Sequence, residues 1–451
     1  MWKHLTARLA RKVASFGRDR RGNVALTFAI ATLPIVGAVG YAVDYSHANN
    51  VKAALQAALD STALMLARDA SSTSNTDLNA KALNYFTALF NRPEAKNVSI
   101  NASYTTSGGS KIVVNGSATV PTTFLGIIGY NDLTVGGSST TAWGSTRLRV
   151  ALALDNTGSM ASDGKMTALK SATKSLLTQL KNAASTNGDV YVSIIPFAKD
   201  VNVGSGNYNA SWIDWTDWDN DNQNCSGWGW NYSCSPANHN TWNGCITDRG
   251  PSSAPGNSTW DQVATLPNGT ANSKWPAEQY NACPVAIKGL TYDWSALNSL
   301  VDSMQPNGAT NQPIGLVWAW QSLVGGGPLT VPAKDSNYEY SDIIILMSDG
   351  LNTQDRWYGN GSNTSTAVDN RMYQTGNGSG TCANIKSSGV TIYTIHVNTD
   401  GDPTSTLLQN CAGSKDKMYD VSKFFTVTSA SGIAAVFNQI GTSLTQLRVA
   451  K

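Results

Sequence analysis

Three polar segments, far apart in the chain, carry side chains that could together hold a hard cation. Asp155-x-Thr157-x-Ser159 lies in DNTGSM, Thr310 in GATNQPIG and Asp349 in MSDG. Two carboxylates and three hydroxyls make an all-oxygen donor set. Mg²⁺ or Mn²⁺ favours such a set, with octahedral geometry and retained waters. An Asp-x-Thr-x-Ser triplet alone arises by chance in many proteins. It gains meaning only if the three segments meet, so the question passes to the elements that carry them.

Those elements read as buried strands. RVALALDNTGSM, VYVSIIPFA, SDIIILMSDG and VTIYTIHVN are apolar runs, and the first and third end in the polar turns named above. A helix from about Gly164 to Ala184 is expected after the first. Fully apolar strands alternating with helices indicate an α/β fold, a mostly parallel, doubly wound sheet covered on both faces. In such sheets ligands bind beyond the carboxyl ends of the strands. Both polar turns fall at those ends, and Thr310 opens a helix.

Other chemistries find less support. Among the four histidines, His4 lies in a basic N-terminal arm, His47 just beyond an apolar span, His239 in a Trp-rich insert and His396 inside an apolar strand. No Ser-His-Asp or Cys-His set follows from spacing, and no phosphate loop or dinucleotide fingerprint is present. Asn156 separates Asp155 from Thr157, so the Asp-Thr-Gly of aspartic proteases is absent. A non-enzymatic role is expected. Nucleic acid is not an expected partner. Residues 1–21 hold seven Lys/Arg against one acid, while the rest of the chain holds 25 basic and 29 acidic residues, a net of −4. That body repels a phosphate backbone.

From Val24 to Val43 the chain reads VALTFAIATLPIVGAVGYAV, twenty residues without a charge. That length matches a bilayer core of roughly 30 Å. A cleaved signal peptide would have a shorter apolar region, about 7–15 residues, ending at a small-residue cleavage site. A retained single-pass anchor is therefore expected, with the basic arm in the cytoplasm and the body exported. Helical pattern continues through Asp44–Ala70, where Val51, Leu55, Leu59, Thr62 and Leu66 share a face. That stripe either contacts a partner helix or covers the protein's own small sheet. LNAKALNYFTALF reads as a second helix, and alternating segments from Val98 to Val120 read as strands. PTTFLGIIGY reads as a short apolar helix and LTVGGSSTTAW as another strand, a pilin-like plan.

Asp155, Thr157, Ser159, Thr310 and Asp349 resemble the metal-ion-dependent adhesion site of von Willebrand factor A domains. Asp155-x-Thr157-x-Ser159 stands where that family has Asp-x-Ser-x-Ser. The resemblance implies that the three hydroxyls bind the metal largely directly and the carboxylates mostly through water. It leaves the sixth position for an acidic group on a protein partner. The stretch RRGNVALTFAIATLPIVGAVGYAVDYSHANNVKAALQAALDSTALML is similar to the TadE/TadG-like segment of Flp/Tad pilus-assembly proteins, with Arg21-Gly22 before the span and Asp44-Tyr45 after it. Prepilin-type processing after Gly22 usually needs Glu at the fifth mature position, which is Thr27 here, so an uncleaved anchor is favoured. The resemblance implies a bacterial inner-membrane protein with its body in the periplasm or at the cell surface, and pilus-assembly or pilin-like proteins as partners. The alternative function is a surface adhesin.

Four regions follow: a basic arm (1–22), a transmembrane helix (23–43), a pilin-like helix and small sheet (44–145), and an A domain (146–451) with an insert at about 199–294. The insert holds nine of the fourteen Trp and four of the six Cys. Asp217-x-Asp219-x-Asp221 resembles the opening of a calcium loop, but Asn222 and Trp228 occupy positions that should be Gly and Glu, so an ordinary acidic loop is the favoured reading. Cys225, Cys234, His239 and Cys245 are spaced too loosely for a zinc site, and export favours disulfides. Cys382 and Cys411 lie on helices flanking one strand, so a bond between them is expected. Cys225, Cys234, Cys245 and Cys283 must then pair within the insert. Three connectivities are open, with neighbours in sequence, Cys225 with Cys234 and Cys245 with Cys283, weakly preferred.

Overall fold

The computed structural model of the 451-residue chain describes residues 22–69, 75–105, 110–143, 146–251, 260–325, 328–374 and 378–449. The basic arm, residues 1–21, lies outside the described residues. The chain folds as two units, Met1–Ala142 and Trp143–Lys451.

The first unit is organised by one long helix, α1 (Gly22–Asp69). Its two halves live in different surroundings. Phe28, Ile30, Ile35, Val36, Val39 and Val43 are exposed. Beyond Asp44 the same helix buries Val51, Leu55, Leu59, Thr62 and Leu66, the stripe read from the sequence. It packs against α2 (Asn75–Leu89) and a three-stranded sheet of β1 (Lys96–Thr105), β2 (Ser110–Pro121) and β3 (Asp132–Trp143), so the stripe covers the protein's own sheet. Among the described residues α1 is the one helix long and apolar enough to cross a membrane. PTTFLGIIGY folds as a single 3-10 turn, Leu125–Ile128, where a short helix was expected. Gly129 in the left-handed region (φ 98°) closes it, returning its N–H to Gly126 and Leu125.

The second unit is a mixed α/β layer structure. In chain order it runs β4 (Thr146–Asp155), α3 (Lys165–Ala183), β5 (Val190–Phe197) and β6 (Val201–Asn202). The insert follows with β7 (Ile213–Asp214), α4 (Thr216–Asp221), β8 (Gln223–Ser226), β9 (Ser233–Pro236), β10 (Cys245–Ile246), β11 (Trp275–Pro276) and β12 (Lys288–Thr291). Then come α5 (Trp294–Ser303), α6 (Gln312–Val324), β13 (Glu339–Ser348), α7 (Thr366–Met372), α8 (Thr381–Ser387), β14 (Thr391–Val397), α9 (Thr406–Cys411), β15 (Phe424–Val427) and α10 (Ala430–Val449). The sheet order is β10-β6-β5-β4-β13-β14-β15, with β12 also pairing β5. β5, β4, β13, β14 and β15 are mutually parallel; β6, β10 and β12 pair antiparallel at one side.

Side-chain alternation along the strands splits the core in two. Leu148, Val150, Leu152 and Leu154 of β4 face α3, α5 and α10. Ala151 and Ala153 face the other way, and their small size admits the apolar helix α6. Gly315 of α6 is required by that approach, since a Cβ there would lie 2.5 Å from Cδ1 of buried Phe197. Cys382 of α8 and Cys411 of α9 are bonded in this second layer, with Cα atoms 5.1 Å apart. Cys225–Cys234 and Cys245–Cys283 are also bonded. Replacing Cys382 and Cys411 together by Ser should lower stability by about 3–4 kcal/mol, because a loop of 29 residues is then freed in the unfolded chain. Denaturant unfolding under non-reducing conditions reads this; a loss below about 1 kcal/mol would show that the bond adds no constraint.

In the insert, Trp218, Trp242 and Trp275 are fully buried and form part of the second core layer. Trp228 and Trp230, in the turn of the β8–β9 hairpin, are by contrast 92% and 99% exposed. The Asp217-x-Asp219-x-Asp221 segment is the helix α4, with Asp217 ion-paired to Arg356 and Asp219 bonded to His239.

Candidate metal centre

Register places the two carboxylates side by side. β4 and β13 are adjacent and parallel, with Leu154 opposite Met347. Asp155 ends β4, and Asp349 follows one residue beyond the end of β13. Ser348 donates its hydroxyl hydrogen bond to Asp155 Oδ2. Asp155 Oδ1 accepts from the Thr157 backbone N–H (2.9 Å) and hydroxyl (2.6 Å). Thr157 Oγ1 and Ser159 Oγ are 3.0 Å apart, and Ser159 donates to Asp349 Oδ1 at 2.6 Å. Four of the five expected residues thus form one continuous chain of oxygens.

Thr310 arrives on a loop pinned to the same turn. Gly158 N–H donates to Gly308 O (2.9 Å) and Asn307 N–H to Asn156 O (2.8 Å). The Thr310 carbonyl accepts from Thr353 N–H, and its own N–H donates to Thr353 Oγ1. Asn311 caps α6 directly after it. Among the described residues no hydrogen bond joins the Thr310 hydroxyl to the other four.

Reading the residues alone missed Lys165 and Ser348. Lys165 opens α3, and its ammonium is buried against Asp349 Oδ2 (2.8 Å) and Asp400 Oδ2 (3.2 Å). A lysine in the first helical turn opposes the helix dipole, which is a signal that a carboxylate compensates it nearby. Burial alone would lower the Lys165 pKa, but Asp349 and Asp400 raise it, so the ammonium stays charged. Asp155 behaves oppositely. Burial, reinforced by the Asp349 charge, pushes its carboxyl up to about 7, against the hydrogen bonds from Ser348 and Thr157.

The set fits a hard cation. All the candidate donors are oxygens, and two further buried acceptors of the same neighbourhood, Asn156 Oδ1 and Gln312 Oε1, have no hydrogen-bond partner among the described residues. Burial of Asp155 beside Asp349 is what leaves its carboxyl resisting ionisation, and a nearby cation would relieve that. Among the described residues no group of three or more His, Cys, Asp or Glu is arranged to hold a metal. The candidate set contains two such residues and relies on hydroxyls. His239 stacks on Trp215 at 3.8 Å between ring centres, and His396 is buried, accepting from Ser405 N–H. Among the described residues neither is hydrogen-bonded to the set.

Residues 22–69 match the family model described as "Putative Flp pilus-assembly TadE/G-like". The match covers 48 of the 451 residues, so the similarity is to this segment alone. The matched segment coincides with α1, both its bare apolar half and its packed half. No curated protein sequence matches the chain. Solved structures similar to it are distant. PilB minor pilin from Streptococcus sanguinis is 11% identical, with a TM-score of 0.36, covering 78% of this chain and 79% of that one. The vWF domain of the type V pili tip protein Mfa5 from Porphyromonas gingivalis is 12% identical, with a TM-score of 0.34, covering 67% and 96%. The pilus adhesin SpaC from Lactobacillus rhamnosus GG is 15% identical, with a TM-score of 0.32. The alignment covers 80% of this chain and 36% of SpaC, so the chain spans about a third of that protein's length.

Proposed function

We propose that this chain is a non-enzymatic, membrane-anchored component of a Tad/Flp pilus-assembly system. Its second unit works as a von Willebrand factor A domain that grips a protein partner through a divalent metal. The observation that carries the reading is the joining of a TadE/G-like helix to a doubly wound sheet whose strand ends gather Asp155, Thr157, Ser159 and Asp349. In this reading Thr157, Ser159 and Thr310 bind Mg²⁺ or Mn²⁺, and Asp155 and Asp349 support it. The bound ion supplies a Lewis-acidic point for an acidic side chain of the partner, a pilin-like or other pilus-assembly protein. Lys165 holds Asp349 in place and keeps the carboxylate pair from carrying its full charge. Asp155 orients Thr157 by accepting from both its N–H and its hydroxyl.

A pull-down from crosslinked cells tests the partner contact. Capture should occur with wild type in Mg²⁺ and be lost with EDTA or with Asp155→Ala, while circular dichroism stays unchanged. Equal capture under all three conditions would sink the metal-bridged contact. The anchoring is tested separately. Alkaline phosphatase fused after Lys451 should be active in cells, because in this reading the basic arm stays in the cytoplasm and the body lies in the periplasm; an inactive fusion beside an active cytoplasmic reporter at the same site would reverse the orientation.

A second reading, a surface adhesin, is favoured by the hairpin that presents Trp228 and Trp230 to solvent between the bonded Cys225 and Cys234. Rigid aromatic side chains on a stapled turn suit matrix or carbohydrate contact. Fractionation separates the two: inner-membrane retention supports assembly, and release with sheared pili supports adhesion.

A further inference from the structure

The turn between β2 and β3 exposes apolar side chains that neither the core nor the metal centre uses. Ile127 is 82% exposed and Ile128 68%, with Phe124 and Tyr130 also exposed, while Leu125 points into the protein. From Pro121 to Asn131 there is no charged side chain. The turn's place in the fold is specific. Asp44, the first charge after the apolar span, accepts hydrogen bonds from three successive backbone N–H groups of the turn: Thr123 (3.0 Å), Phe124 (2.9 Å) and Leu125 (2.7 Å). Phe124 also lies against Gly40, where a Cβ would sit 2.5 Å from the Phe124 Cβ. Gly40 and Asp44 are one helical turn apart, about 6 Å along the axis. The turn is therefore fixed at the level where α1 changes from uncovered apolar helix to packed helix. Tyr41 and Tyr45 lie there, their ring centres 5.9 Å apart, and tyrosine is enriched at membrane–water boundaries.

We propose that this turn is seated in the lipid interface beside the anchor, so that the protein enters the bilayer surface at two points of its chain. The inference rests on the reading of α1 as a membrane span. Three features select lipid as the occupant. The patch is continuous with the uncovered half of α1. It lacks charge. Most of its N–H groups are already paired: beside the three held by Asp44, Ile127 N–H donates to Phe124 O, Gly129 N–H to Gly126 O, Tyr130 N–H to Leu125 O and Thr122 N–H to Asn131 O. A turn with most of its N–H groups paired loses less on entering a medium that offers no donors or acceptors than an open loop would. Insertion to roughly 5–10 Å, the depth of interfacial apolar faces, buries both isoleucines.

The test uses the full chain in phosphatidylcholine vesicles, with a nitroxide label on a single added cysteine at Val39, Ile128 or Lys111. The six native cysteines are all bonded. Accessibility to dissolved oxygen reports lipid, and accessibility to a water-soluble nickel chelate reports water. Labels at 39 and 128 should lose nickel accessibility and gain oxygen accessibility, with the label at exposed Lys111, at the far end of β2, showing the reverse. If 39 is in lipid and 128 in water, the proposal fails while the anchor stands. If 39 is in water, the anchor reading itself fails and takes the proposal with it. A label at 128 immobilised and shielded from both reagents means a protein covers the turn, which also overturns it.

Discussion

Arg371→Met should cost about 3–5 kcal/mol at pH 7.5, the effect of removing one partner from a buried ionic cluster. The Arg371 side chain is buried among three aspartates. Nε donates to Asp261 Oδ2 at 2.6 Å, Nη2 lies 3.1 Å from Asp248 Oδ1, and Nη1 pairs with Asp355. Burial alone would lower the guanidinium pKa, but the three carboxylates raise it. Without it they remain buried and uncompensated. Asp261 already sits at about 6, raised by burial and held down by Arg371, and removing the arginine raises it further. A carboxyl whose folded pKa exceeds its unfolded value contributes stability that is present at low pH and lost as pH rises through the folded value. The defect in the variant should therefore shrink below about pH 5. Urea unfolding at pH 7.5 and pH 5 measures both parts. A loss under about 1 kcal/mol at pH 7.5, or a larger loss at pH 5 than at 7.5, would contradict the account. The consequence reaches the candidate metal centre. Asp355 accepts from the Trp357 and Tyr358 N–H groups, and the same loop holds Thr310 through Thr353. Loosening Asp355 loosens Thr310.

Metal and proton should compete at Asp155. Its carboxyl sits at about 7 in the folded chain against 3.8 ordinarily. The sign is the same as above: this group's contribution is complete below about pH 4 and is lost as pH rises through about 7, on the order of 4 kcal/mol in all. Asp200, fully buried, is also raised by burial and adds to the same trend. On the proposed reading a divalent ion would supply the missing charge. Mg²⁺ at pH 8 should then raise the thermal midpoint more than at pH 5, and binding near pH 6 should release protons to the buffer. Asp155→Asn should remove most of both responses. An equal Mg²⁺ shift in wild type and Asp155→Asn, or an Mg²⁺ shift greater at pH 5 than at pH 8, would exclude Asp155 from the site.

The parallel strands were legible because burial on both faces leaves a continuous apolar run, as in Leu148–Leu154 and Ile343–Met347. The turns beyond them were legible because polar residues there interrupt such runs abruptly. The packed stripe of α1 showed itself by spacing alone. What remained hidden depends on distant partners. Nothing local to Asp217, Asp219 and Asp221 reveals that Arg356 and His239 engage two of them and that the segment is helical. Buried Trp218, Trp242 and Trp275 and bare Trp228 and Trp230 are the same residue type within one insert, so residue type does not separate them. The two-residue strands β6, β7, β10 and β11 are too short for any alternation to register. The short turn at Leu125–Ile128 is closed by Gly129 in the left-handed region, which ends it before a helix propagates.

The unbroken run of α1 from Gly22 to Asp69 has a mechanical consequence. A helix of 48 residues is about 70 Å long, and its far half is built into the small sheet without any intervening linker. Tension on that sheet would be carried axially by helical hydrogen bonds in series, not taken up by slack. Pro34 has no N–H to return to Ile30, so one link in that series is missing. Under load the helix should yield first around Pro34, inside the apolar half, leaving the packed half and its sheet intact.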